Sequence, residues 1–344
     1  MMTKRPWLRY AGLPKLGVRE VTATKGSFMS ASMRAISPRS WGPPEVLVEV
    51  EVERPEPGPT EVLVRVHAAG VNATDWKSRS HGGLQLWDDP PILGHDVSGV
   101  VEAVGLGVTL YQAGDEVFGM PRFPWQAGAY AEYVAAPARH FALKPASIDH
   151  IEAAALPLTG LTAWQALTET AKLRPGQRVL VHGAAGGFGH VAVQIAKALG
   201  AHVIGTARSS KHRFLRELGA DEVVDYTSVD FAQVLSDIDV VLDPVGGDYA
   251  SRSLRVLRRG GALISLAGWE DVPAQAEAEA SGVSAGFTLV EPDYSGLLAI
   301  AGLVRAGNLR PEVSTVLLLE QAAAAHRLAE RGGNTGKIIL RVAE

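Results

Sequence analysis

The chain has 344 residues, a length that favours two domains, and its 47% hydrophobic and 20% charged residues are typical of a folded globular protein. A formal net charge of −4, with no apolar run near the about 18 residues of a membrane span, predicts a cytoplasmic protein with no nucleic-acid and no membrane partner. The absence of cysteine excludes disulfides, thiolate nucleophiles and cysteine-ligated metal sites.

The first 32 residues differ in composition from the rest of the chain. Six basic residues stand against one acid, Glu20, and the apolar residues show no periodicity. We predict a disordered extension over residues 1–32. An Arg-rich, acid-poor start is compatible with an organelle transit peptide, whereas the alternative interpretation is an over-long start with Met33 as the functional beginning.

The next segment, residues 33–157, has the pattern of short β-strands. Its β-branched or alternating runs are separated by glycine and proline turns, which predicts a compact antiparallel barrel or sandwich. The predicted strands cover residues 46–52, 61–69, 97–104, 116–120 and 129–135.

The pattern changes after Pro157, where a helix is predicted over residues 161–172 and strands then alternate with helices. Alternation of this kind predicts a parallel sheet covered on both faces, and six strands fit a doubly wound α/β domain over residues 158–310. Its predicted strands cover residues 179–183, 202–206, 222–226, 238–243, 262–267 and 287–290, with helices that include residues 189–199 and 211–218. The last segment, residues 311–344, contains a helix (320–331) and a strand (337–342) and is predicted to rejoin the first domain.

A glycine-rich turn lies between the first strand and the first full helix of this alternating region. Such a turn lets backbone approach a pyrophosphate, and the N–H groups that open the helix supply donors and partial positive charge. Ala184 stands where the more common fingerprint has its first glycine. The predicted cofactor-binding residues of the turn are Ala185, Gly186, Gly187, Phe188 and Gly189.

The end of the second predicted strand indicates which nucleotide binds. An NAD site offers an acid to the ribose 2′-hydroxyl, but no acid follows this strand before Glu217. Arg208, Ser209 and Lys211 instead suit a 2′-phosphate by charge and hydrogen bonding, which predicts NADPH as the cofactor. The alternative is that Ser210 caps the next helix and Lys211 is solvated.

Several short motifs together resemble the medium-chain dehydrogenase/reductases, in their zinc-independent quinone-oxidoreductase-like branch. The motifs are 70–75 (GVNATD), 93–99 (LGHDVSG), 114–117 (GDEV), 128–133 (GAYAEY), 161–163 (LTA), 184–189 (AAGGFG), 243–247 (DPVGG) and 336–337 (GK). The resemblance implies a GroES-like catalytic domain made from both chain ends, a central Rossmann domain and a cofactor cleft between them. It also implies cofactor contacts at Thr162, Tyr226, Leu266 and Ala267, and a diphosphate contact at Lys337.

In zinc-dependent relatives the catalytic metal is held by a cysteine, a histidine and a second cysteine, and the matching positions here are Asn72, His95 and Thr159. One imidazole cannot hold zinc against water, so we expect no metal. The resemblance then implies hydride transfer from NADPH to a quinone or to the β-carbon of an enone.

Three residues are candidates for catalysis. Asn72 is expected to donate a hydrogen bond to the nicotinamide side or to the developing enolate oxygen. Asp75 and Lys77 could orient the nicotinamide ribose or relay a proton, and the alternative is that they belong to a helix cap.

Other features of the sequence are consistent with more than one function. Aromatic residues of loops are candidates for the substrate pocket or for core packing, namely Trp76, Trp87, Phe123, Trp125, Tyr130 and Trp269. The strand at 287–290 could pair across a homodimer, as in relatives of the resembled family. Two other functions stay open, a metal-free alcohol or aldehyde dehydrogenase and a non-catalytic NADPH-binding protein.

Overall fold

The structure is a computed structural model that describes residues 31–84, 86–273 and 275–343. The extension predicted for residues 1–32 therefore lies outside the described residues, apart from its last two. Ser32 opens the first strand, in which Ala35 and Ile36 are buried. Among the helices of this described part, none is long and apolar enough to cross a bilayer.

The helices and strands are numbered here in chain order. The strands are β1 (Ser32–Pro38), β2 (Leu47–Glu53), β3 (Glu61–Val71), β4 (Asp96–Val104), β5 (Glu116–Gly119), β6 (Tyr133–Pro137), β7 (Phe141–Leu143), β8 (Arg178–Val181), β9 (His202–Thr206), β10 (Glu222–Val224), β11 (Ile238–Asp243), β12 (Leu257–Ser265), β13 (Ser284–Phe287), β14 (Val313–Leu318) and β15 (Lys337–Arg341). The α-helices are α1 (Ala73–His81), α2 (His150–Ala153), α3 (Pro157–Gln165), α4 (Gly189–Ala198), α5 (His212–Glu217), α6 (Phe231–Val234), α7 (Asp248–Leu254), α8 (Gln275–Ser281), α9 (Tyr294–Arg305) and α10 (Ala322–Arg331).

Strands from the N-terminal part of the described chain and from its C-terminal segment build the first sheet. Its order is β14-β15-β3-β4-β5-β7, with β6 also paired to β3, while β1 and β2 form a separate antiparallel pair. β15 runs antiparallel to β3, with Ile339 opposite Gly70, so the returning segment joins this sheet. The register places Lys337, the first residue of β15, close to the end of β3 that leads into α1.

The first sheet also shows what the sequence pattern missed. The strand predicted at 129–135 begins only at Tyr133, because residues 129–132 form a buried connection with one isolated bridge from Ala131 to Ala35. Strands β1, β7 and β14 had no predicted counterpart. β7 has three residues, which is too short for an alternating pattern to be recognised.

The second sheet has six parallel strands in the order β10-β9-β8-β11-β12-β13. The predicted doubly wound domain is confirmed. The chain runs outward from β8 in one direction and then returns to β11 to run in the other, so the crevice between the ends of β8 and β11 is the place where such sheets bind ligands. Strands β9 and β11 have the predicted bounds, whereas the last two predicted strands begin three to five residues too late.

One apolar cluster joins the two sheets. Phe118 of β5 and Met120 just after it pack in the same buried core as Val181 of β8 and Val191 of α4. Helix α3 takes part in this core and continues into a π-helical segment, Ala166–Thr170, where the sequence predicted one continuous helix. Close packing of this kind resists small shifts, so the walls of the cleft between the sheets are held in place.

Candidate functional site

A cavity of about 600 Å³ opens between the two sheets, a size typical of small-molecule sites. The structure brings nine of the predicted site residues to its wall, although they come from five separate parts of the chain. They are Asn72, Lys77, Thr162, Gly186, Gly187, Phe188, Leu266, Ala267 and Lys337.

The other predicted site residues lie elsewhere. Ala185 and Gly189 are buried within the turn, and Asp75 is buried behind the cavity wall. Four more lie away from the cavity lining on the second-sheet side, namely Arg208, Ser209, Lys211 and Tyr226.

The turn after β8 is built for close approach of backbone. Gly183 has φ +56°, in the left-handed region, and its carbonyl accepts a hydrogen bond of 2.9 Å from the Gly186 N–H. A Cβ on Gly189 would overlap the backbone of Gly183 and Ala184. The turn therefore needs glycine at 189 so that α4 can pack closely against it.

His190 ties this turn to the returning segment of the chain. Its Nδ1 lies 2.9 Å from the Gly186 carbonyl oxygen, and its Nε2 accepts a 3.1 Å hydrogen bond from the Glu312 N–H. Burial lowers the pKa of His190 to about 4, so the imidazole is neutral at pH 7. With Nδ1 as the donor, this histidine acts as a structural clamp on the loop.

At the inner end of the cavity, Asn72, Asp96 and Lys337 form a closed, buried group. The Asn72 Nδ2 donates to Asp96 Oδ2 at 2.8 Å, Lys337 Nζ donates to the same oxygen at 3.1 Å, and Lys337 Nζ also donates to Asn72 Oδ1. We name this the amide triad. Its ammonium is engaged with Asp96 and Asn72, and the diphosphate contact of Lys337 stays a prediction.

Asp75 does not line the cavity, and its role toward the nicotinamide ribose or a proton stays a prediction. Its side chain is fully buried and accepts from the Asn72 N–H at 2.8 Å, while its other oxygen lies 3.0 Å from His95 Nδ1. Tyr130 donates to Asp75 at 3.3 Å, and burial raises the pKa of that phenol. The capping interpretation thus describes the contacts that Asp75 makes: it closes the N-terminus of α1 and holds His95.

Lys77 crosses the cleft. Its Nζ donates a 2.9 Å hydrogen bond to the carbonyl of Ala267, just after β12, so α1 of one domain contacts the strand end of the other. Thr162 faces the same cavity from α3 and donates its hydroxyl to the Leu158 carbonyl at 2.6 Å. Both residues lie where a nucleotide that runs along the strand ends would pass.

The aromatic candidates divide into two groups. Trp76, Trp87, Phe123 and Trp269 line the cavity, and the rings of Trp87 and Phe123 lie 6.2 and 5.0 Å from the His95 ring. Trp125 and Tyr130 do not line it: Trp125 is 61% exposed, and Tyr130 is a core residue.

On the second-sheet side, the structure places an acid, Asp225, that the sequence analysis did not name beside Ser209. The Ser209 N–H donates to Asp225 Oδ2 at 2.9 Å, which places a carboxylate beside the predicted phosphate-binding residues. Hydrogen bonds from Thr227 lower the pKa of Asp225 to about 2, so the group is an anion at pH 7. Its signal in the sequence is an acid just after the neighbouring strand β10, eight residues beyond Glu217.

The other predicted residues around Ser209 differ in their environment. Arg208 is exposed, and Tyr226 is 38% exposed two residues after β10. Lys211 donates to the Thr335 hydroxyl, from the loop before β15. This contact links the predicted phosphate-binding segment to the segment that also supplies Lys337.

The positions that match the zinc ligands of relatives lie together but do not fit a zinc ion. The oxygen of Asn72 accepts from an ammonium, the Thr159 hydroxyl donates to the Ala155 carbonyl at 3.0 Å, and His95 Nδ1 is engaged with Asp75. One imidazole nitrogen is left, and a neighbouring ammonium repels a cation. Within residues 31–84, 86–273 and 275–343, no three His, Cys, Asp or Glu side chains group as metal ligands.

Comparison with known proteins gives matches over most of the chain. Residues 58–146 match the alcohol dehydrogenase GroES-like domain, and residues 218–340 match a family described as zinc-binding dehydrogenase. The chain is 32% identical over 329 residues to the NAD(P)H oxidoreductase RTN4IP1, mitochondrial, of Danio rerio, covering 83% of this chain and 84% of that protein.

Solved structures agree with this similarity. The quinone oxidoreductase from Coxiella burnetii superimposes with a TM-score of 0.84 at 35% identity, covering 91% of this chain and 100% of that one. An NAD-dependent alcohol dehydrogenase superimposes with a TM-score of 0.83 at 37% identity, covering 90% and 100%.

Proposed function

Because the chain belongs to the medium-chain dehydrogenase/reductase family, in its quinone oxidoreductase-like branch, we propose that it reduces a quinone or an α,β-unsaturated carbonyl with NADPH and without a metal ion. Membership makes the chain an oxidoreductase that uses a nicotinamide cofactor. The proposed part is the choice of NADPH, the class of acceptor and the metal-free chemistry. The observation that carries the proposal is that the glycine-rich turn and the Asn72 amide line one cavity.

The chemistry follows from what the cavity wall offers. When bound, NADPH supplies the hydride that forms a C–H bond at the β-carbon, while the electron pair of the double bond moves toward the carbonyl oxygen. Asn72 would donate a hydrogen bond to that oxygen, and one proton from water would neutralise it. Trp87 and Phe123 form an apolar wall that strengthens such a bond by excluding water. A conjugated acceptor is required, because hydrogen bonds polarise a carbonyl less than a metal ion does.

A turnover assay tests this function directly. Purified protein with NADPH should lose absorbance at 340 nm only when 9,10-phenanthrenequinone or an alkyl enone is added. The rate should survive dialysis against a chelator, and metal analysis should find no stoichiometric zinc. Tight NADPH binding without turnover across a broad acceptor panel would instead favour a binding protein.

NADPH preference is supported by the two cations and the serine that follow β9. Arg208 is exposed and free to turn toward a 2′-phosphate, and Ser209 offers a hydroxyl. Arg208→Glu should reduce the NADPH-to-NADH affinity ratio by about 10- to 100-fold, because a charge reversal replaces attraction by repulsion. The matched control is Arg213→Glu, since Arg213 is exposed nearby and pairs with Glu217. An unchanged ratio in Arg208→Glu would exclude this assignment.

A second function is favoured by one comparison. The similar NAD-dependent alcohol dehydrogenase suggests alcohol or aldehyde chemistry for this chain as well. Saturated carbonyls need stronger polarisation than an amide supplies, so we rank this function second. Oxidation of a simple alcohol at a rate that matches or exceeds quinone reduction would reverse the order.

We further propose a cytoplasmic homodimer that binds neither nucleic acid nor membranes. Strand β13 lies at the edge of its sheet, and Phe287 at its end and Leu289 just after it are 37% and 44% exposed. An edge strand with apolar neighbours favours pairing with a second copy. Light scattering at micromolar concentration should give twice the chain mass, and a stable monomer would contradict the proposal.

A further inference from the structure

We propose that Asp96 and Lys337 are positioning residues that hold the Asn72 side-chain amide in one orientation, with its NH₂ group available to the cavity. The inference rests on the proposed function, in which that amide meets the substrate oxygen or the nicotinamide side. It assigns to Lys337 a role different from the diphosphate contact that the sequence predicted.

The argument begins with donors and acceptors. An ammonium only donates and a carboxylate only accepts, so Lys337 selects the amide oxygen and Asp96 selects the amide nitrogen. Rotating the amide by half a turn would place NH₂ against NH₃⁺ and oxygen against carboxylate. Both contacts would then be repulsive. The direct 3.1 Å contact between Lys337 Nζ and Asp96 Oδ2 closes the group and keeps the two charges in place.

Burial makes this selection strong. Asn72, Asp96 and Lys337 are 6%, 0% and 2% exposed, so water does not replace a lost partner. Charge-assisted hydrogen bonds in such surroundings are stronger than neutral ones, and an unpaired charge there is costly. The amide triad therefore holds the Asn72 side chain rigidly where it faces the cavity.

Two members of the amide triad also make hydrogen bonds outside it. The Asn72 N–H donates to Asp75, and Asp96 Oδ1 accepts a 2.7 Å hydrogen bond from the Leu158 N–H. A Cβ on Gly70 would lie 2.5 Å from Asp96 Oδ2, so glycine leaves the space that this carboxylate occupies. The orientation of the amide thus depends on strands β3, β4 and β15 together.

Lys337 also connects the triad to the nucleotide-binding turn. A Cβ on Gly187 would lie 3.1 Å from Lys337 Cδ, so the lysine stem passes beside the turn while its ammonium reaches Asn72. Two of its three N–H groups have acceptors in the described part of the chain. A diphosphate role and a positioning role make different predictions, because the first affects cofactor affinity and the second affects the chemical step.

The first test reads the amide without any turnover. The chain contains three asparagines, Asn72, Asn308 and Asn334, so selective ¹⁵N-asparagine labelling gives three side-chain NH₂ pairs, and Asn72→Asp assigns one of them. In the wild type the Asn72 pair should exchange slowly with D₂O. In Asp96→Asn and in Lys337→Met it should shift and exchange at least about tenfold faster. An Asn72 pair unchanged in both variants would overturn the proposal, whether or not the enzyme reduces quinones.

The second test separates positioning from stability. Asp96→Asn and Lys337→Met should each lower kcat by about 10- to 100-fold, with the dissociation constant for NADPH within about threefold of wild type. Each also leaves a buried charge unpaired and lowers the Tm. The double variant removes both charges, so its Tm should recover toward wild type while kcat stays low.

A matched control removes a buried ammonium elsewhere in the same domain. Lys144 pairs with Glu116 at 3.2 Å and its side chain is 5% exposed, so Lys144→Met should lower Tm and leave kcat unchanged. Recovery of kcat together with Tm in the double variant would mean a purely structural triad. A large loss of NADPH affinity in Lys337→Met with unchanged kcat would restore the diphosphate contact. If wild-type protein reduces no acceptor, the proposed function fails, and the NMR result still decides the orientation.

Discussion

The two ends of the cofactor cleft differ in the burial and the pairing of their charged groups. At the inner end, the amide triad is buried and its polar groups are paired with one another. At the proposed adenosine end, Arg208 and Ser209 are exposed, and an anionic Asp225 lies among them. A preorganised, dry site suits a step in which charge develops, whereas exposed cations give affinity that salt can screen. The chemistry and the choice of nucleotide are therefore separable by mutation.

The largest effect is expected from a substitution at the inner end of the cleft. Asn72→Ala should lower kcat by about 100- to 1,000-fold, because it removes a donor preorganised toward the developing negative charge. NADPH affinity should change little, since the proposed adenosine end of the cleft is unchanged. Asn308→Ala, at an exposed site, is the control and should behave as wild type. Stopped-flow kinetics and fluorescence titration measure the two quantities, and a loss confined to affinity would refute the catalytic role.

The next effect concerns the turn between the two ends. Gly189→Ala should destabilise the protein by about 2 to 3 kcal/mol, because a Cβ there would overlap the backbone of Gly183 and Ala184. Gly302→Ala is the matched helical control, since only Arg305 lies near its Cβ, at 4.0 Å. That change should be neutral or slightly stabilising. Urea unfolding of both variants decides the matter, and equal stabilities would show that the turn tolerates a methyl group.

A smaller effect is expected at His182, which lies between β8 and the glycine-rich turn. His182 is fully buried, its Nε2 is 2.9 Å from the Ser253 hydroxyl, and burial lowers its pKa to about 3. In the unfolded chain the pKa is about 6.5, so stability from the neutral imidazole is present above pH 6.5 and is lost as pH falls toward 3. The loss from His182 at pH 5 should be about 2 kcal/mol relative to pH 7.

His182→Gln should therefore flatten the pH dependence of unfolding between pH 7 and 5, although it lowers stability at pH 7. His81→Gln is the control, because His81 is exposed. Chemical denaturation at the two pH values provides the comparison. A slope in His182→Gln as steep as that of wild type would mean that another group controls acid stability.

The smallest expected effect is at the proposed adenosine end of the cleft. Asp225→Asn should raise NADPH affinity by about threefold and leave NADH affinity unchanged, because it removes a half-buried anion beside Ser209, near the proposed 2′-phosphate. The gain should shrink at high salt. Asp230→Asn, on an acid beyond this segment that pairs with Arg252, is the control. Equal gains for NADPH and NADH would mean that Asp225 acts on the loop and not on the phosphate.

The alternating region was predictable because its signals are local. Buried β-branched runs, a glycine turn and helix-ending glycines recur within a few residues of each other, and strands β9 and β11 appear with the predicted bounds. Errors occurred where tertiary contacts override local pattern. Residues 129–132 look like a strand yet form a buried connection beside β1, and β12 starts earlier than its apolar run indicates.

The sequence by itself determined the class of fold, the nucleotide-binding turn and which residue types could serve chemistry. The tertiary structure decided partners: that Lys337 meets Asn72 and Asp96, that Asp75 is turned away from the cavity, and that Asp225 stands beside Ser209. Local patterns depend on neighbours three or four residues away, whereas these contacts join positions up to 265 residues apart. Which acid lies near which base in a folded protein depends on strand order and register. Neither of these can be read from residues that are close together in the sequence.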